Sequence, residues 1–93
     1  MELKPQEFFT LKKELSNIKI FVNPIDDLLF IYDLKLRENM QLIILDFKEQ
    51  IVMEIDNFES NNSIDISMLP TGTYAMQIRK LNAVLYRKSF YKY

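Results

Sequence analysis

The chain has 93 residues, no cysteine, no histidine and a formal net charge of −1, which excludes a disulfide framework, thiolate chemistry and the commonest general base and transition-metal ligand. With 48% apolar residues but one glycine and three prolines, it can fill one modest core and has none of the composition of a linker or low-complexity segment. The charge is unevenly spread: residues 1–65 hold seven Lys or Arg and all thirteen Asp or Glu, formally −6, whereas residues 66–93 hold five cations and no acid, formally +5.

Taken in order, the first segment, residues 1–17, reads as a short helix or as a connector. Pro5 suits a first helical turn, and Phe8, Leu11 and Leu15 then share one face. A helix this short is marginal alone and must pack on the domain that follows. The N-terminus lacks the basic-then-apolar form of a signal peptide, and no apolar run approaches the about 18 residues that span a bilayer. A strand is expected over 18–22, with Ile18, Ile20 and Val22 on one face, ended by Asn23-Pro24 because proline cannot donate to a ladder. Asp26-Asp27 lead into a second strand over 28–33. After a polar connection comes a strand over 40–46, apolar on both faces at Leu42-Ile43-Ile44-Leu45 and so expected at the centre of a sheet. Phe47-Lys48-Glu49 makes a turn into a strand over 50–55, and residues 56–62 form a polar loop.

The chain's organising stretch is Ile64-Asp65-Ile66-Ser67-Met68-Leu69-Pro70-Thr71-Gly72-Thr73-Tyr74. Ile64 and Ile66 alternate with Asp65 and Ser67 as a half-buried strand over 63–67 requires. A proline followed two residues on by a glycine free to take φ > 0 then supplies a tight turn. Tyr74, Met76 and Ile78 resume the alternation in a strand over 73–80, and Leu81-Asn82 closes a hairpin onto a last strand over 83–91. Seven short strands with turn signals between them predict an all-β, seven-stranded antiparallel sandwich of immunoglobulin-like kind over residues 18–93.

That stretch resembles the most characteristic segment of the type A C-terminal sorting domains carried by cargo of the type IX secretion system of Bacteroidetes: a strand ending in Ser, then Leu, a turn, Gly, any residue and Tyr. The resemblance extends over about residues 18–93. Asn23 and Pro24 match the family's opening Pro-Asn-Pro, with Val22 in place of the first proline. Asp46 matches a hairpin of Asp, two residues and Gly, with Glu49 where Gly is usual, so that this turn either has another geometry or strains Glu49. The basic finish Lys88-Ser89-Phe90-Tyr91-Lys92 matches the family's last strand. The resemblance implies a folded, non-catalytic tag read by the outer-membrane secretion machinery and cut away by a surface cysteine protease as the cargo is released or joined to anionic lipopolysaccharide. The protein would then be secreted or at the cell surface as part of a longer precursor.

Within this reading Asn23 and Pro24 end the opening strand, Asp46 shapes a hairpin, Leu69 plugs the core, Gly72 supplies backbone freedom and Tyr74 packs inward. Recognition is expected on exposed groups, with Lys88 and Lys92 the candidates, and charge reversal at both is expected to spare folding. Other chemistry is less well supported. Asp26-Asp27, or Asp56, Asn57, Glu59, Asn61 and Asn62, match no calcium-loop spacing, so neither metal nor cofactor is expected. Paired carboxylates lack a cleft, no small-molecule substrate is implied, and Leu69-Pro70-Thr71-Gly72 lacks the residue between Pro and Thr that a sortase signal needs. Two rivals to a sorting tag are a structural or adhesive sandwich module and a single-stranded nucleic-acid groove built from Tyr74, Tyr86, Phe90, Tyr91 and Tyr93 interleaved with the five cations. The latter is the weaker, since alternation sends half of those aromatics inward.

Overall fold

The computed structural model describes residues 2–32, 40–56 and 63–93. Its order is α1 (Pro5–Leu15), β1 (Lys19–Asn23), β2 (Leu28–Tyr32), β3 (Met40–Leu45), β4 (Ile51–Asp56), β5 (Ser63–Asp65), β6 (Gly72–Lys80) and β7 (Ala83–Lys92). The connection before β3 and residues 57–62 of the loop expected after β4 lie outside the described residues.

Alternation along the strands builds two sheets that share one core. A three-stranded sheet in the order β1-β2-β5 faces a four-stranded sheet in the order β4-β3-β6-β7, with every pairing antiparallel. Leu29, Ile31 and Ile64 from the first sheet, with Ile66 just past β5, meet Leu42, Ile44, Met76, Ile78 and Leu85 from the second in a single buried cluster. This is the all-β sandwich that the strand spacing predicts. The fourth strand departs from the constant-type immunoglobulin arrangement, in which it pairs in the same sheet as the first, second and fifth. Here a tight hairpin keeps β4 beside β3.

β3 is central, between β4 and β6, and its Leu42, Ile43, Ile44 and Leu45 are all buried. Leu42 and Ile44 enter the main core, while Ile43 and Leu45 form a small second patch with Ala75 on the sheet's other side. Apolar residues on both faces are what a strand without an exposed side demands.

β5 ends two residues earlier than the sequence predicts: one more ladder bond follows Asp65, and a local turn then takes the chain off the sheet. Ser67 N donates to Asp65 Oδ1 at 2.9 Å, an Asx turn, and Ile66 N donates to Asp27 O at 2.9 Å, across to the β1–β2 turn. The Ser67 hydroxyl, then its amide, hold the Asp65 carboxyl below the usual carboxylate range.

α1 begins with Pro5, where a missing N–H costs nothing, and Phe8 N donates to Lys4 O at 3.0 Å as its first turn. At its end the Ser16 hydroxyl donates to Lys13 O at 2.6 Å. Leu11 and Leu15 are buried in the sandwich core, with Phe8 packed against it, so tertiary burial stabilises a helix too short to stand alone.

Candidate recognition surface

The residues singled out by sequence fall into three turns and one edge strand. The first turn is β1–β2, where Asn23 Oδ1 accepts from Ile25 N at 2.9 Å and Asn23 Nδ2 donates to Asp26 Oδ2 at 3.2 Å. Pro24 follows with its φ already set for a turn, and Asp27 closes the loop at φ 52°. Asn23 and Pro24 therefore fold the hairpin, and their polar atoms are directed at their own backbone and neighbours.

The second turn joins β3 to β4. Asp46 Oδ1 accepts from Lys48 N at 2.8 Å and Gln50 N at 3.0 Å, and Glu49 N donates to Asp46 O at 3.0 Å. Glu49 sits at φ 64°, in the left-handed region where glycine is at ease. Of the two possibilities the sequence leaves open, the turn keeps its glycine-type geometry with Glu49 in the strained place. The side chain offers a partial compensation: its carboxylate pairs in a fork with Arg87 of β7, at 2.6 and 3.1 Å.

The opposing terms are close in size. Glycine would relieve roughly 1–2 kcal/mol of left-handed strain, but would add about 0.5–1 kcal/mol of chain entropy to folding and forfeit an exposed ion pair of about 0.5 kcal/mol. Glu49→Gly is therefore expected to leave the urea midpoint unchanged within about 0.5 kcal/mol, and Glu49→Ala to lose about 0.5 kcal/mol, since it keeps the strain and drops the pair. A gain well above 1 kcal/mol for Glu49→Gly would show that the pair contributes nothing.

The third turn, between β5 and β6, holds the sequence's most distinctive motif. Leu69 is buried, and its amide donates to Ile66 O at 3.0 Å. Gly72 has φ +155°, a conformation that L side chains rarely adopt, although a Cβ there would meet no neighbour within 4 Å. What requires glycine is the backbone. Tyr74, at the start of β6, turns its hydroxyl back to donate to Pro70 O at 2.5 Å, while its ring is buried and stacks on Phe90 at 5.8 Å. A tyrosine at the corner entering the sixth strand, bonded to backbone a few residues upstream, is the tyrosine corner of immunoglobulin-like sandwiches. Sequence reasoning places Tyr74 inside but misses this bond; the signal available was a tyrosine four residues after a turn proline.

The edge strand β7 carries the two candidate cations, and they differ. Lys88 is exposed at mid-strand. Lys92 is not: only 7% of it is accessible, and its ammonium lies 3.7 Å from Asp27 Oδ1 and 3.4 Å from Tyr93 O. The expectation that both lysines lie on the surface is corrected here for Lys92. Register explains it only in part: Lys92, Lys88 and Tyr86 lie in the same row as the buried Phe90, opposite Gly72, Met76, Ile78 and Tyr74 respectively. Yet Lys88 stays exposed, and what sets Lys92 apart is Asp27 within its reach. The apolar stem of Lys92 follows that row inward, and Asp27 on the β1–β2 turn receives its charge.

The same pairing bears on the basic hairpin as a nucleic-acid groove. Arg87 is paired with Glu49 and Lys92 with Asp27. Tyr74 and Phe90 are buried, and Tyr86 is half-buried, its hydroxyl donating to Ile18 O at 3.2 Å and its pKa raised by desolvation. Of the five aromatic residues, Tyr91 and Tyr93 remain well exposed, in edge-to-face contact at 5.2 Å.

Among the described residues no group of three or more His, Cys, Asp or Glu is placed to hold a metal ion, and no helix is long and apolar enough to cross a membrane. A protein-family model, the secretion system C-terminal sorting domain, matches residues 19–92. No curated protein matches the chain.

Proposed function

This chain belongs to the family of secretion system C-terminal sorting domains, and from that premise we propose that the export machinery reads its folded outer surface rather than its motif residues. The family's domains are C-terminal sorting signals for type IX secretion, which makes this a sorting domain of secreted or cell-surface cargo. The observation that carries the reading is the extent of the match, which runs from the first residue of β1 to the last of β7 and so takes in the whole sandwich.

Residues 18–93 form the sorting domain, with residues 1–17 as a lead-in whose helix packs on it. Its role is non-catalytic. The outer-membrane machinery engages the folded domain, a surface protease then removes it, and both meet it as part of a longer precursor. Asn23, Pro24, Asp46, Leu69, Gly72 and Tyr74 support this by shaping turns and core, which leaves Lys88 as the candidate for contact with a partner.

The test is a fusion of the full chain behind a signal peptide and a reporter, expressed in a host with type IX machinery. The reporter is expected at the cell surface or in the medium, and to stay in the periplasm when the tag is absent. Retention of the tagged reporter, with the tag shown to be folded, would overturn the reading in favour of a structural module.

A further inference from the structure

The two sheets leave their first and last strands side by side and unjoined. β1 hydrogen-bonds to β2 alone and β7 to β6 alone, yet β1 and β7 run next to each other along one flank of the sandwich. Among the described residues no backbone hydrogen bond links them. The flank is tied at its two ends by side chains, Tyr86 to Ile18 O and Lys92 to Asp27. Between the ties lies a groove of about 300 Å³ with Ile20, Val22 and Phe90 in its walls, Lys88 beside them, and Phe21 and Tyr91 at the rim.

The sheet edges are not equally protected. β5 has three residues, β1 has five and is followed by Pro24, and β4 carries Glu54 and Asp56 with a register shift against β3. Short strands, proline, charges and bulges all discourage edge pairing. β7 runs ten residues with neither proline nor glycine; its register shift against β6 falls at Leu85, toward one end, and leaves a regular run from Tyr86 to Lys92 that contains Lys88. Its charges are of one sign. Of its three cations, Arg87 and Lys92 already face Glu49 and Asp27, whereas Lys88 has no anionic partner among the described residues.

We propose that the β1–β7 groove is a docking site for an extended strand of a secretion-machinery protein, added along the β7 edge with a carboxylate side chain set against Lys88. Backbone pairing along an open edge supplies the register-defining contacts, and alternate side chains enter the apolar groove. The charge selects the occupant. A second copy of this chain, paired antiparallel through β7 about Lys88, sets Lys88 against Lys88, so like charges disfavour it. An acidic strand meets Lys88, the one cation of β7 without an anionic partner among the described residues. The proposal rests on the sorting reading and names the surface that reading requires.

The test has two arms. In the first, the isotope-labelled chain is titrated with a blocked peptide of about nine residues, alternating threonine and valine around a central glutamate. Amide shift changes and slowed hydrogen exchange are expected in β1 and β7 only. Lys88→Glu should weaken binding about tenfold, and a peptide with central lysine should recover it on that variant. Binding that survives N-methylation of the peptide backbone, ignores the charge exchange or maps to other strands overturns the proposal. Self-association of the free chain through β7 would assign the groove to a second copy instead.

In the second arm, reporter fusions of the wild type and of Lys88→Glu, matched for melting temperature, are compared for export. If neither is exported, the sorting reading falls, and the proposed partner with it. If both are exported equally, the sorting reading stands and the groove proposal falls. Export of the wild type with loss in Lys88→Glu is the expected result.

Discussion

Tyr74→Ala is expected to destabilise the domain by about 3–5 kcal/mol, and Tyr74→Phe by about 1–1.5 kcal/mol, read as shifts in urea midpoint. The two values separate the two functions of the side chain. The ring is buried against Phe90, so truncation to alanine removes the packing of a large aromatic residue and leaves a void between the sheets. The hydroxyl holds Pro70 O, and phenylalanine keeps the ring while leaving that carbonyl to find another donor. For a 93-residue domain the larger loss is comparable to its whole stability. Tyr74→Ala should therefore abolish export by unfolding the tag, whereas Tyr74→Phe should remain exported. Equal midpoints for Tyr74→Phe and the wild type would show that the corner bond adds nothing, and the motif would need a different explanation.

This result would also bear on why a family's most recognisable residues need not be what its partner touches. Leu69, Gly72 and Tyr74 stand out in the sequence because a turn between two sheets imposes several demands at once: an apolar plug, a backbone conformation open to glycine, and a tyrosine that reaches back. Each is satisfied within the chain. Such residues fix the surface without forming it.

The sequence made most of this architecture legible, for reasons that differ between elements. β3 and β6 were readable because their periodicity is forced by burial: Tyr74, Met76 and Ile78 all enter the core, and β3 is apolar on both faces because both are covered. The end of β5 was not, because Asp65 and Ser67 fit the outward positions of a strand as well as they fit the Asx turn they form. The neighbour of β4 was legible from the short turn at Phe47-Lys48-Glu49 and not from alternation, which says which face is buried but not which strand lies alongside. At Glu49 the sequence posed the right alternatives, and only the backbone angle chose between them. The surface was less legible than the fold. Lys92 looked like an exposed terminal charge; counting by twos from Phe90 puts it in the inward row, but puts the exposed Lys88 there too, and the partner Asp27 that separates them could not have been guessed.

That pair gives the last prediction, which contrasts the two lysines of β7. Lys92→Glu is expected to cost about 2–3 kcal/mol, because it replaces a cation facing Asp27 with a second carboxylate and places that carboxylate at a buried position. Lys92→Met should fall within about 1 kcal/mol of the wild type, since it keeps the stem in the core and leaves Asp27 free to turn toward solvent. Lys88→Glu should change stability by no more than about 0.5 kcal/mol, its side chain being exposed and without an ionic partner among the described residues. Urea melts of the three variants check the order. Tracking export alongside then separates folding from recognition. Lys92→Glu should lose export together with stability and Lys92→Met should retain both, while Lys88→Glu should lose export and keep its midpoint. If Lys92→Glu melts with the wild type, the Asp27 contact does not hold the flank together in solution, and the terminal lysine returns to the surface as a candidate for the partner.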